Sequence, residues 1–90
     1  MEIEWDPKKA HSNLRKHGVS FEEAATALSD PMAATGDDPD HSFVESRYVT
    51  FGVSDQDRLL VISHSERGDT VRIISARRAS KGERRIYEEG

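Results

Sequence analysis

Apolar residues recur along the chain in two rhythms. From Asp6 to Gly18 and from Ser20 to Leu28 the spacing is helical: Ala10, Leu14 and His17 share one face, and Phe21, Ala24, Ala25 and Leu28 share another. The first helix has Asp6 as N-cap, Pro7 at its first position and Gly18 just past its end. The second opens on a Ser20/Glu23 capping box, with Val19 placed to staple against Ala24, and Asp30-Pro31 stops it.

The rhythm then changes. Ile3 to Trp5 reads as a short first strand. Tyr48 to Val53 alternates, with Val49, Phe51 and Val53 on one side. Leu59 to His64 is a continuous apolar run of the kind that suits a central strand. Val71 to Arg77 puts Val71, Ile73 and Ser75 on one side and Arg72, Ile74 and Ala76 on the other. The links at residues 54–57 and 66–69 are short, which predicts an antiparallel meander with the last two strands side by side. Residues 36–42 form the clearest loop, either plain surface or an acidic lid. Ser80 and Glu83 form a further capping box and open a C-terminal helix. The expected fold is α+β: one domain over residues 1–90, two N-terminal helices packed on an antiparallel sheet, and a closing C-terminal helix.

Composition narrows the classes. A chain of 90 residues with 34% hydrophobic content supports one small core. It has no cysteine, so disulfides and thiolate metal sites are excluded and a reducing, cytoplasmic setting is expected. No stretch has the length of a membrane span, and Met1 to Trp5 lacks the pattern of a signal peptide.

The net charge of −4 argues against nucleic acid, but its distribution does not. Residues 1–46 carry four basic and ten acidic side chains, while residues 47–90 carry nine basic and seven acidic ones. Arg72, Arg77, Arg78, Lys81, Arg84 and Arg85 fall within fourteen positions that hold a single acid, Glu83. Guanidinium groups offer paired donors to phosphate oxygens, and several round one point would stabilise the charge that grows at phosphorus during phosphodiester cleavage. The competing reading is a solvated face, salt-bridged to Glu66, Glu83, Glu88 and Glu89.

Other chemistry is sparse. His11, His17, His41 and His64 do not have metal-ligand spacing, so no metal and no cofactor is expected. His64, His17 and Glu66 are the candidate proton acceptors, each with a structural role as its rival. Tyr87 stands beside the arginines, where it either stacks a base or packs on the sheet.

The ordered set Glu4-Trp5-Asp6, Lys9, Asn13, Lys16-His17-Gly18, Phe21 to Ala24, Asp30-Pro31, Arg47-Tyr48-Val49, Gly52, Glu66-Arg67-Gly68, Arg72 to Ala79, Glu83-Arg84 and Tyr87 resembles the BrnT-type toxins nearly end to end. The resemblance implies a RelE-like fold and a metal-independent endoribonuclease that stops translation. It also implies a ribbon-helix-helix antitoxin of the BrnA type as partner, with operator DNA reached only through that antitoxin.

On this reading RNA is the substrate and Arg47, Glu66, Arg72, Arg77 and Arg78 are the catalytic candidates. Lys9, His17, His64, Lys81, Arg84 and Tyr87 are the RNA-binding candidates. In a regular strand Arg72 and Arg77 point to opposite faces, so both reach one phosphate only if the strand breaks; otherwise Arg77 is a structural ion-pair partner. The rival functions are a partner-binding module without catalysis and a stand-alone RNA-binding domain.

Overall fold

The computed structural model describes residues 1–38 and 46–90. Eight elements follow in order: β1 (Glu2–Trp5), α1 (Pro7–His17), α2 (Phe21–Leu28), β2 (Ala34–Asp37), β3 (Arg47–Val53), β4 (Leu59–Arg67), β5 (Thr70–Arg78) and α3 (Lys81–Glu89). The strands form one sheet in the order β1-β5-β4-β3-β2.

The predicted neighbours pair as expected: β3 on β4 and β4 on β5 are antiparallel. The sheet as a whole is mixed, because β1 lies parallel to β5, with Ile3 opposite Val71. The meander of β3, β4 and β5 holds, but a wholly antiparallel sheet is incorrect; α1 and the rest of the chain intervene between β1 and β5, so no tight turn forces them antiparallel. β2 is an edge strand on β3 that the sequence pattern did not reveal, since all four of its residues are exposed. It takes Gly36 and Asp37 out of the expected loop, and residues 39–45, including His41, lie outside the described residues.

The helix signals act largely as read. The Asp6 carboxylate accepts from the Lys8 amide at 2.9 Å, and Gly18 ends α1 with φ 69°. Ser20 Oγ accepts from the Glu23 amide at 3.0 Å, but Glu23 does not complete the box. Its carboxylate is buried and turns to Arg58 and Ser54 instead, a stronger attraction than a backbone amide offers. The α1 face is also offset from expectation: Leu14 is 49% exposed, while Asn13 is buried.

Val19, Phe21, Ala24, Ala27, Leu60, Ile62, Ile73 and Ala76 form the core, with Trp5 edge-on to Phe21 at 6.0 Å. α2 lies so close to β3 that a Cβ at Gly52 would meet the Ala27 carbonyl oxygen at 2.3 Å, so only glycine fits there. α3 does not close the core, because none of its residues is buried. It is held at the surface by its capping box and by polar ties to the sheet and to the α2–β2 loop.

The decisive irregularity is in β5. Its pairing with β4 slips between Ser63 opposite Ser75 and His64 opposite Ile73, leaving Ile74 as an extra residue. Alternation is reset there. Ile73 and Ala76, three apart, both enter the core, and Arg72, Ser75 and Arg77 share the other face.

Candidate active site

The face of the sheet away from α2 gathers the chemistry. Arg47 on β3, Ser65 on β4 and Arg72 on β5 stand directly opposite one another in a single row. The two arginines are two strand spacings apart, about 9.5 Å, within which long side chains converge on one phosphate. The row borders a cleft of about 680 Å³ lined by Glu4, Ser46, Ser65, Glu66, Arg67, Thr70 and Arg72. The β4–β5 hairpin builds this cleft: Gly68, at φ 59°, makes the tight turn that brings Arg67 and Thr70 together.

Arg72 donates to Glu4 Oε2 at 2.7 Å, and both side chains are about half exposed. Exposed pairs of this kind are worth little, so the guanidinium remains open to a stronger anion.

Glu66 also lines the cleft, but His64 and Glu66, opposite Ile73 and Val71, fall on the α2 side of the sheet, the face turned away from Ser65 and Arg72. His64 is 3% exposed, stacks on Tyr48 at 5.9 Å, and shares a 2.7 Å hydrogen bond through Nε2 with Thr50 Oγ1. Thr50 Oγ1 in turn bonds Thr35 Oγ1 at 2.7 Å. The other ring nitrogen, Nδ1, makes no hydrogen bond and lies 3.8 Å from Glu66 Oε2. Burial lowers the His64 pKa below its ordinary value, and the nearby Glu66 only partly opposes this. His64 is therefore neutral and buried on the α2 side of the sheet, beside Glu66, and its ring does not reach the face that carries Ser65 and Arg72, contrary to a role in direct RNA contact.

The remaining arginines separate from this row. Arg77 shares its face but stands at the far end of β5, where it makes a two-pronged pair with Glu83 at 2.8 Å on both arms. The Arg77 hydrogen bonds, aided by the Ser80 amide, hold the Glu83 carboxyl down at about 2. Arg77 thus fastens α3 to the sheet. Arg78 falls opposite Leu60, toward α2, where its charge helps keep Glu23 ionised; the larger cause there is the Arg58 hydrogen bond. Lys81 and Arg84 lie on α3, and Arg84 pairs with Glu88 at 3.8 Å. The Tyr87 hydroxyl donates to Asp30 Oδ2 at 3.2 Å and to the Met32 carbonyl at 3.3 Å, so its ring is fixed at the α2–β2 loop, away from the cleft.

Lys9 and His17 lie in a different place, a groove between α1 and β5 that also holds Lys8, Ser12, Asn13, Lys16, Ile74 and Ser75. Among the described residues no group of three His, Asp or Glu side chains could hold a metal ion, and no helix is long and apolar enough to cross a membrane.

Sequence reasoning missed three participants. Glu4, Ser65 and Arg67 line the cleft, and the short hairpin at Gly68 was the signal for the last two. Asn13 was missed as a structural residue. Its side chain bonds both the amide and the carbonyl of Ala76, one residue before Arg77.

No match was found among curated proteins. The fold matches the 1.1 Å crystal structure of the ribonuclease toxin BrnT of Brucella abortus with a TM-score of 0.70 and 25% identity, covering 90% of this chain and 99% of that one. Residues 5–83 match the family model described as the ribonuclease toxin BrnT of a type II toxin–antitoxin system. The chain therefore belongs to the BrnT family of ribonuclease toxins, whose members pair with an antitoxin.

Proposed function

We propose that this toxin cleaves RNA without a metal ion, by attack of a ribose 2′-hydroxyl on the adjacent phosphorus, and so stops translation. The observation that carries the reading is the row Arg47–Ser65–Arg72 beside a cleft that also holds Glu66 and Arg67. Such a reaction needs a proton acceptor, charge stabilisation at phosphorus and a proton for the leaving 5′ oxygen.

Glu66 takes the proton of the 2′-hydroxyl. Arg72 and Arg47 hold the phosphoryl oxygens, with Arg67 at the rim. The bond from phosphorus to the 5′ oxygen breaks as the one to the 2′ oxygen forms; solvent water in the open cleft protonates the departing 5′ oxygen, Glu66 returns its proton to solvent, and the products are a 2′,3′-cyclic phosphate and a free 5′-hydroxyl. His64 acts through Glu66, as the neutral, buried ring 3.8 Å from its carboxylate on the α2 side of the sheet. Arg77 and Arg78 are assigned to the support of the site and not to the phosphate, because Arg77 is held by Glu83 and Arg78 falls on the α2 side of the sheet, opposite Leu60.

The partner we infer is a BrnA-like ribbon-helix-helix antitoxin, with operator DNA engaged only through it in a hetero-oligomeric complex in the cytoplasm. A RelE-like ancestry belongs to the same proposal. The test is a defined RNA incubated with the chain, with and without chelator. Cleavage that persists in chelator and leaves a 2′,3′-cyclic phosphate is expected. Loss of cleavage in chelator, restored by a divalent ion, refutes the mechanism.

A further inference from the structure

The groove between α1 and β5 collects three of the thirteen lysines and arginines, Lys8, Lys9 and Lys16, and one of the four histidines, His17, none of which the cleft chemistry uses. Its volume is about 320 Å³, and its other walls are Ser12, Asn13, Ile74 and Ser75, with no acidic side chain among them. Among the described residues none of these four makes an ion pair, although the chain carries a net charge of −4 and pairs Arg58, Arg72, Arg77 and Arg84 with acids. Three unpaired lysines along one groove repel one another, so an anion held among them relieves a cost that the free protein bears.

The helix itself makes the placement expensive. Lys8 and Lys9 stand in the first turn of α1, which contains no acid. That end of a helix carries the positive end of the macrodipole and favours acidic residues. Lys16 and His17, in the last turn, follow the dipole and need no further reason. The two ends are connected on one side of the helix: residues 8, 12 and 16 follow one stripe and 9, 13 and 17 the next. Eight residues of helix span about 12 Å, enough for more than one phosphate of an extended strand.

The groove and the cleft share no lining residue, but both open on β5, the cleft at Arg72 and the groove at Ile74 and Ser75. Ser75, which pairs with Ser63 on the same face as Arg72, lines the groove as well, and the Ile74 bulge beside it opens that edge of β5. A strand whose scissile phosphate rests between Arg47 and Arg72 passes over Ser75 to reach the lysines. Asn13 fixes α1 against β5 at this crossing, through the Ala76 amide and carbonyl.

We propose that this groove is a second phosphate-binding site, which holds the backbone of a single-stranded RNA a few nucleotides from the phosphate that is cut. The proposal rests on the ribonuclease reading for the identity of the strand, and it makes substrate length a property of this toxin.

The test uses binding, so that it does not depend on catalysis. A single-stranded 2′-O-methyl RNA cannot be cleaved by 2′-hydroxyl attack, and its affinity for the full chain is measured by fluorescence anisotropy across a salt series. Each phosphate neutralised on a single strand contributes about 0.7 to the slope of log affinity against log salt. The Lys8→Gln, Lys16→Gln double variant should lower that slope by about 1.4, while Lys8→Arg, Lys16→Arg keeps it. Both lysines are exposed and unpaired, so urea midpoints should be unchanged. A slope that is unchanged in the glutamine variant overturns the proposal. So does a variant that keeps its RNA slope and loses affinity for the antitoxin, which would assign the groove to an acidic protein segment. Failure of the chain to cleave ordinary RNA would count against the ribonuclease mechanism and leave the slope measurement standing.

Discussion

Asn13→Ala should remove a large part of the stability of this domain. The Asn13 side chain is buried and makes three hydrogen bonds: Nδ2 donates to the Val19 carbonyl at 2.9 Å and the Ala76 carbonyl at 2.8 Å, and Oδ1 accepts from the Ala76 amide at 3.0 Å. β1 pairs with β5 only as far as Ile73, so Asn13 takes the place of a neighbouring strand at Ala76. A net hydrogen bond contributes about 1 kcal/mol, and a buried group left without a partner costs about 1–3 kcal/mol. Two carbonyls and one amide lose their partners together, but the adjoining groove lets water reach part of the gap. A loss of about 3–5 kcal/mol follows. A domain of this size holds about 5–13 kcal/mol in all. With a urea m-value near 1.5 kcal/mol/M, the midpoint should fall by about 2–3 M. Hydrogen exchange should show the Ala76 amide losing protection. Asn13→Asp keeps the acceptor, loses both donors and sets a carboxylate beside two carbonyls, so it should be no better than alanine. A midpoint within about 0.5 M of the parent for Asn13→Ala would refute the reasoning, because the three bonds would then carry no net stability.

Two acid-sensitive groups act in different pH windows. His64 has a folded pKa below 6.5, so as pH falls through 6.5 the unfolded chain takes up a proton first; stability should drop by up to about 1.4 kcal/mol per pH unit, and His64→Gln should flatten that slope in urea titrations at pH 7 and pH 5. Glu83, held at about 2 against an ordinary 4.5, contributes stability that is complete above pH 4.5 and lost as pH falls toward 2. With Arg77 partly exposed and the pair screened, that contribution is about 1 kcal/mol, and it should vanish from the acid titration of Glu83→Gln. Arg77→Ala should lower stability by a similar amount and loosen α3, seen as faster amide exchange over residues 81–89, while RNA cleavage changes far less than in Arg72→Ala.

Much of this molecule is visible in local sequence signals. Asp6, Gly18, Ser20, Ser80 and Glu83 mark helix ends through hydrogen bonds that depend only on near neighbours, and all five act in that way. The pairing of β3, β4 and β5 follows from short links. What local pattern cannot give is set by distant partners. β1 becomes parallel through a partner nearly seventy residues away. β2 has no apolar stripe, because it is an exposed edge. Glu23 has the position of a capping residue but is captured by Arg58, thirty-five residues on.

The bulge at Ile74 matters most for the site. A strict alternation separates Arg72 from Arg77, and one extra residue reunites them on a face. Even so, the reunited pair is not one site: Arg77 is taken by Glu83, while Arg72 keeps an exposed and weaker bond to Glu4. An arginine cluster in sequence thus resolves into a cleft residue, a fastening for α3 and an exposed cation on the α2 side of the sheet. Lys9 and His17, separated from the cluster in sequence, lie in a groove that reaches β5 at Ser75, three residues along the strand from Arg72.

The central claim is that Arg72 and Arg47 stabilise the transition state of RNA cleavage from opposite sides of Ser65. The direct measurement is the single-turnover cleavage rate of a defined RNA by Arg72→Ala and Arg47→Ala, with the urea midpoint of each variant measured in parallel. The account predicts a fall of roughly 10²–10³ in rate for Arg72→Ala, the magnitude of losing a charge-stabilising donor, and a fall in the same direction for Arg47→Ala. The midpoint of Arg72→Ala should stay near that of the parent, because its ion pair with Glu4 is exposed. Parental cleavage rates in both variants would contradict the claim and remove the open face of the sheet as the active site.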